Sequence, residues 1–255
     1  MEIAASLGRF TLYRIQVLGR SGIFIFTAIL QAFLPPLRIS RLVKEIEFIG
    51  SKSFLIVFVT ALFTGMVLGL QGYYSLSQFG AEAALGVMVA LSIIRELGPV
   101  LCALMVSGRA GSAITAEIGI MKITDQFPAL EMMAVDPMKY VVSPKVVAGI
   151  ISLPLLTAFF DLIGIAGGYL VGVKLLGVSE GAYIGKLAAA VTFRDIYGGV
   201  IKSLCFGLLI TWIATFMGYT ADATTEGVSR ATTNTVVLTS LSILIVDYIL
   251  TSLLL

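Results

Sequence analysis

Five stretches of this chain, approximately 53–74, 84–107, 146–171, 196–217 and 236–255, are apolar over their length. Each has about the twenty residues a helix needs to cross the hydrocarbon core of a bilayer. No other feature restricts the fold so severely. In lipid every backbone N–H and C=O must be satisfied within its own segment, so runs of this kind are helices. Composition agrees. Only 13% of the 255 residues are charged and 58% are hydrophobic, with a mean hydropathy of +1.02, whereas a soluble domain is about a quarter charged. Too few polar side chains remain to coat a water-facing surface. The expected class is an all-α integral membrane protein.

A sixth apolar run, "SGIFIFTAILQAFLPPLRI", meets Pro35-Pro36 after about 13 residues, which is too short to cross. Arg9, Arg14 and Arg20 precede it, and Arg38, Arg41 and Lys44 follow. Residues 1–50 therefore read as an amphipathic helix region lying in the membrane interface, with a buried re-entrant segment as the alternative. Residues 51–255 form the five-span domain. With the N-terminus in the cytoplasm, twelve Lys and Arg fall on the inside (Arg9, Arg14, Arg20, Arg38, Arg41, Lys44, Lys52, Arg109, Lys122, Lys139, Lys145 and Arg230) and three outside (Lys174, Lys186 and Arg194). The positive-inside rule then puts the C-terminus on the outer side.

The second span raises a question of length. Helical character runs from about Ala84 to Met121, roughly 57 Å at 1.5 Å per residue, against a bilayer core of about 30 Å. This helix has to project into the cytoplasm or break, and "SGRAGSAITAEIG" is where a break or a tight contact is expected.

Several chemistries are excluded. The chain has no histidine, so His-based triads and His metal sites are absent. Cys102 and Cys205 each lie alone in apolar segments and read as small hydrophobes. The N-terminus lacks the layout of a signal peptide. "GRAGSA" (108–113) has no Gly-Lys-Ser/Thr ending and follows no strand, which argues against a phosphate-binding loop. Small residues at this spacing, like "GMVLG" (65–69), let transmembrane helices approach closely.

Between spans two and three lies "TDQFPALEMMAVDPMKYVVSPK" (124–145). Leu130, Met133 and Ala134 fall at helical spacing and Asp136-Pro137 ends the run. This predicts a short amphipathic helix between Pro128 and Pro137. It is either a solvated connector or a docking knob, since paired methionines make adaptable contacts in another protein's groove.

The intramembrane ionisable residues are Arg95, Glu96, Asp161, Lys202 and Asp247. Each costs several kcal/mol if it faces lipid, so each faces protein, water or a polar ligand. Counted from the outer helix ends, Arg95 and Glu96 lie near mid-bilayer, while Lys202 is shallow enough to snorkel outward. Neighbours at i and i+1 point apart and cannot satisfy each other. Pro99 also frees the Arg95 carbonyl at the same depth. For Asp161 and Asp247 a structural hydrogen bond or ion pair is the simpler reading.

Taken jointly, "GMVLGLQGY", "LSIIRELGPV", "GRAGSAITAEIG", "LEMMAVDP", "ISLPLL" and "GVSRATTNTVV" resemble the MlaE (YrbE-type) permease subunits of MCE-associated ABC transporters, from about Ser51 to the C-terminus. The resemblance implies a homodimer of five-span subunits in a bacterial inner membrane. It implies a cytoplasmic ABC ATPase on the coupling segment Leu130, Glu131, Met132, Met133, Val135, Asp136 and Pro137. It further implies a STAS-domain subunit, a periplasmic MCE-domain ring, and a phospholipid cargo moved between inner and outer membranes to maintain outer-membrane lipid asymmetry. ATP and magnesium belong to the partner, and this chain carries no cofactor or catalytic residue. The implied lipid pocket points to Leu68, Leu70, Tyr73, Arg95, Glu96 and Leu97, and also to Lys202 and Arg230. Two other functions compete: an ion-coupled secondary transporter, for which no internal inverted repeat is visible, and a membrane scaffold, which leaves Arg95-Glu96 without a purpose.

Overall fold

The computed structural model describes residues 2–33 and 39–254, with side chains from 15–17, 19–32 and 39–254. Among the described residues all regular structure is helical. Nine helices follow in order: α1 (Glu2–Phe33), α2 (Ile39–Ile49), α3 (Phe54–Ser77), α4 (Glu82–Ile123), α5 (Gln126–Met132), α6 (Met138–Leu175), α7 (Glu180–Ala190), α8 (Phe193–Thr220) and α9 (Thr225–Leu254).

Six helical stretches are long and apolar enough to cross a membrane: the five read from sequence and the Ile15–Ala32 part of α1. That helix is longer than the apolar run suggests because the turns before Ser21 are helical too, leaving Arg20 inside an otherwise apolar window. Pro35-Pro36 and Arg38 lie outside the described residues, as do the side chains of Arg9 and Arg14.

The bundle is held by close helix approach rather than by bulky side chains. Where α3 meets α6, a Cβ on Gly69 would come 2.9 Å from the Gly168 carbonyl oxygen, and one on Gly65 would overlap the Gly164 carbonyl. Without a hydrophobic force between helices in lipid, such backbone-to-backbone contact supplies the dispersion energy of association. "GMVLG" thus performs the packing its spacing predicts. "GRAGSA" does not. Space is open around Gly108, and Gly111 has only ordinary contact with Ile210. The close contacts of this region lie further on, between Gly119 and Val228 and between Gly218 and Thr115.

Helix α4 does not stop at that stretch. It continues for 42 residues, about 63 Å of helix. Two wide turns with i to i+5 bonding interrupt its α-helical pattern, at Ile93–Leu97 and Ser107–Gly111. One carries Arg95 and Glu96, the other Arg109.

At the end of the bundle that carries α5, buried polar groups tie the helices together. Lys145, fully enclosed, donates to both oxygens of Glu45 at 2.9 Å and to Glu117 Oε2 at 2.8 Å, joining α2, α4 and α6. Arg109 bonds the Phe48 carbonyl and Ser53 Oγ (3.1 Å) and lies over the Phe48 ring. Lys122 Nζ donates to the Tyr219 and Ala221 carbonyls at 3.1 and 2.7 Å, capping the negative end of α8. Helix α1 docks here as well. Trp212 Nε1 donates to the Ser21 carbonyl (3.0 Å), Ser143 Oγ to the Ala28 carbonyl (2.8 Å) and Gln31 Nε2 to Asp136 Oδ2 (2.6 Å).

The short helix expected between Pro128 and Pro137 differs from that expectation at both ends. Helix α5 begins at Gln126, two residues before Pro128, and stops at Met132. Ala134 takes a positive φ of 56°, so it does not share a helical face with Leu130. Phe127 anchors the segment, its ring 5.3 Å from that of Tyr219. At the opposite end α7, absent from the sequence reading, lies across the helix tips with Tyr183 buried and its hydroxyl donating to the Ile165 carbonyl at 3.2 Å.

Candidate functional site

The polar residues of α4, α8 and α9 converge at the end opposite α5. Pro99 has no N–H to offer the carbonyl one helical turn back, so the Arg95 carbonyl is left without its helical partner. Lys202 of α8 supplies the missing donor, its Nζ lying 2.9 Å from that oxygen. The same ammonium reaches Glu96 Oε2 at 2.6 Å and Thr251 Oγ1 at 2.7 Å, with Asp247 Oδ1 at 3.1 Å. Lys202 is 2% exposed. It does not snorkel outward as its depth suggests. It turns inward because four oxygens of α4 and α9 are arranged around it, and a buried ammonium is held by such partners.

Arg95 is fixed separately. Its Nε donates to Asp195 Oδ1 at 2.7 Å. Asp195 Oδ2 in turn accepts from the Thr192 backbone N–H and hydroxyl at 2.8 and 2.7 Å. Thr192 and Asp195 form the reciprocal cap that starts α8, so the arginine is pinned to a rigid helix N-terminus. Arg194 Nη2 donates to the Leu254 carbonyl at 3.0 Å, joining the start of α8 to the end of α9.

Between these groups lies a cavity of about 370 Å³, lined by Arg95, Glu96, Arg194, Asp195, Lys202 and Thr251 among others. Arg95 and Glu96 line it with side chains 40% and 39% exposed. Because Arg95 is level with the first turn of α8 and its cavity reaches Leu254, the pair sits near the helix tips of its neighbours. Helix α4 begins at Glu82 and so extends well past the start of α8 at this level. The arrangement offers recognition chemistry: a guanidinium and a carboxylate with unused hydrogen-bonding positions beside a fully bonded ammonium.

The comparisons with known proteins bear on this arrangement. The model of the family described as "Permease MlaE" matches residues 42–253. The chain belongs to the MlaE permease family. It is 48% identical over 255 residues to the intermembrane phospholipid transport system permease protein MlaE of Haemophilus influenzae, covering 99% of this chain and 97% of that one. A probable ABC transporter permease protein of Rickettsia bellii is 42% identical over 253 residues, covering 99% and 98%. The chloroplastic protein TRIGALACTOSYLDIACYLGLYCEROL 1 of Arabidopsis thaliana is 32% identical over 209 residues, covering 82% of this chain and 60% of its own.

Within this MlaE-family fold the residues named from sequence fall into three places. Arg95, Glu96 and Lys202 meet at the cavity. Leu68, Leu70 and Tyr73 lie on α3 and Leu97 in the wide turn of α4, and none of the four lines the cavity. Leu70 is exposed, whereas Leu68 and Tyr73 pack partly against the core. Arg230 stands apart. It is paired with Glu226 one turn back at 2.5 Å, and 21 residues of α9 separate it from Thr251, about 32 Å of helix. At the far end the residues expected to couple to an ATPase spread over α5 and the turn after it. Met132 and Met133 are 84% and 71% exposed. Glu131 and Asp136 are exposed, Leu130 and Val135 half-buried and Pro137 buried.

Asp195, Thr192 and Thr251 are the site residues that the sequence did not single out. Thr251 was readable: it follows Asp247 by four positions, so both share the α9 face that Lys202 meets. Asp195 was hidden by its own role, because Thr-x-x-Asp before an apolar run is an ordinary helix start.

Proposed function

We infer that this chain is the membrane-spanning permease subunit of an ABC transport system that moves phospholipid between membranes. The observation that carries this is a half-exposed Arg95 and Glu96 bordering a cavity within an apolar bundle, in a chain similar over its full length to an intermembrane phospholipid permease. ATP hydrolysis belongs to a separate cytoplasmic ATPase, which docks on Met132 and Met133, the large apolar side chains that α5 and its turn leave bare. Two copies of the chain assemble in the inner membrane with the N-terminus cytoplasmic and the C-terminus periplasmic. A STAS-domain subunit accompanies the ATPase, and a periplasmic MCE ring receives the lipid. Leu68, Leu70, Tyr73 and Leu97 line the acyl-chain path. The system maintains lipid asymmetry of an outer membrane.

The Lys202 network supports a second reading, in which the cluster only bridges α4, α8 and α9. Single Arg95→Ala and Glu96→Ala variants separate the two. As lipid contacts, both insert and assemble normally yet retain less co-purified phospholipid and fail to support the outer-membrane barrier. If they are instead degraded or fail to assemble, while an Arg95→Leu, Glu96→Leu double variant is stable and transports normally, the bridge reading stands.

A further inference from the structure

We propose that the Arg95–Glu96 cavity selects a zwitterionic headgroup bearing a primary ammonium, with its phosphate on Arg95 and its ammonium on Glu96, over anionic headgroups. This rests on the permease reading above and adds to it a preference among phospholipids.

Spare hydrogen-bonding capacity is the first argument. Arg95 spends Nε on Asp195. Among the described residues its two terminal nitrogens carry no bond, leaving the paired N–H groups that suit a phosphate. Glu96 is asymmetric in the same way. Oε2 accepts from Lys202 at 2.6 Å, whereas Oε1 has only the Thr251 hydroxyl at 3.3 Å. That hydroxyl has a single hydrogen and lies closer to Oε2, at 3.1 Å. Glu96 Oε1 is therefore an acceptor in want of a donor, on a side chain 39% exposed. Donor and acceptor line the same cavity, so one small ligand with both a phosphate and an ammonium can satisfy both.

Charge balance is the second. Among the described residues, Arg95, Arg194, Lys202, Glu96 and Asp195 line the cavity and Asp247 lies directly behind Lys202. At their formal charges these six balance. An ethanolamine phosphodiester adds no net charge, whereas a glycerol phosphodiester adds a negative charge beside Glu96 with nothing to offset it. Lys202 does not supply the offset, because its three hydrogens go to the Arg95 carbonyl, Glu96 Oε2 and Thr251 Oγ1 and its charge is already paired with Glu96 and Asp247. A site rejects a ligand that leaves its polar groups unpaired. A choline headgroup keeps the charge but has no N–H for Glu96 Oε1, so it ranks below ethanolamine as well.

Cavity size agrees. About 370 Å³ is at the small end for a bound organic molecule. It holds a headgroup and leaves two acyl chains outside, against the apolar helix faces.

The test is competition. The full-length protein is reconstituted in nanodiscs of equimolar phosphatidylethanolamine, phosphatidylcholine and phosphatidylglycerol, re-extracted in mild detergent, and its retained lipid is quantified by mass spectrometry. The expected result is enrichment of phosphatidylethanolamine by about fivefold over each of the others, the discrimination of one charge-assisted hydrogen bond at a half-exposed site. Glu96→Gln is expected to bring the three within about twofold of their input ratio while phospholipid is still retained. Retention by the wild type in the input ratio, or enrichment of phosphatidylglycerol, overturns the proposal and leaves the permease reading intact. Retention of no phospholipid overturns both. If Glu96→Gln does not assemble, the wild-type competition decides alone. A Glu96→Gln protein that keeps the ethanolamine preference refutes the role given to Glu96.

Discussion

Replacing Lys145 by methionine isolates what the buried charge triad contributes, because methionine keeps most of the volume and removes the ammonium. In the wild type Glu45, 8% exposed, takes both its bonds from Lys145 at 2.9 Å. Without that partner it is a buried carboxylate with no compensation, a condition that costs about 3–5 kcal/mol. Glu117 adds little, because its side chain is 43% exposed and water replaces the lost bond. The lower figure, about 3 kcal/mol, therefore applies. At about 2–4 °C per kcal/mol for a chain of this size, the apparent melting temperature drops by about 6–12 °C. Thermal unfolding of detergent-purified protein at one fixed scan rate measures it. A second variant makes the argument refutable: Lys145→Met with Glu45→Leu removes both charges, and such exchanges are close to neutral. Melting of the single variant within about 2 °C of wild type, or a double variant no better than the single, would show that the triad does not carry this energy. Retained phospholipid should be unchanged throughout, since the triad and the Arg95 cavity lie at opposite ends of the bundle.

Gly65→Leu should abolish monodisperse protein on size exclusion, because its side chain has to displace the Gly164 carbonyl, whereas Gly108→Ala, with open space around it, should be neutral or stabilise by up to about 1 kcal/mol. Met132→Asp with Met133→Asp should remove the cognate ATPase from the purified complex while leaving the permease folded, and an ATPase still present at wild-type stoichiometry would reduce α5 to a connector.

The features legible in the sequence are those set by one helix at a time. Apolar length gives the spans, "GMVLG" gives the α3 face that meets α6, and Pro99 foretells that the Arg95 carbonyl needs an outside donor. Relations between helices were harder to see. Lys202 reads as a snorkelling lysine when its depth is counted along α8 alone, and turns inward only once the oxygens on α4 and α9 are seen beside it. Arg95 lies level with the first turn of α8, a relation that counting along α4 alone does not give. The triad of Glu45, Lys145 and Glu117 joins residues up to 100 positions apart, and no local pattern announces it. The wide turns of α4 leave no hydropathy signal, and a helical pattern with a residue slipped still looks helical.

That slip gives α4 a property best expressed as phase. Each wide turn accommodates one extra residue without adding a turn, so every side chain beyond it is rotated by about 100° from where an unbroken α-helix would put it. With two such turns, at Ile93–Leu97 and Ser107–Gly111, the helix changes its angular register twice along one rod. The half that faces Asp195 and Lys202 and the half that carries Lys122 against α8 are therefore keyed independently. Deleting a single residue within 93–97 would leave a smoother, more regular helix with better local hydrogen bonding. It would also swing the preceding half of α4 out of phase with everything after Gly98. For assembly the irregularity works as an indexing notch: its length matters more than its composition, and a one-residue deletion there should damage folding far more than substitutions do.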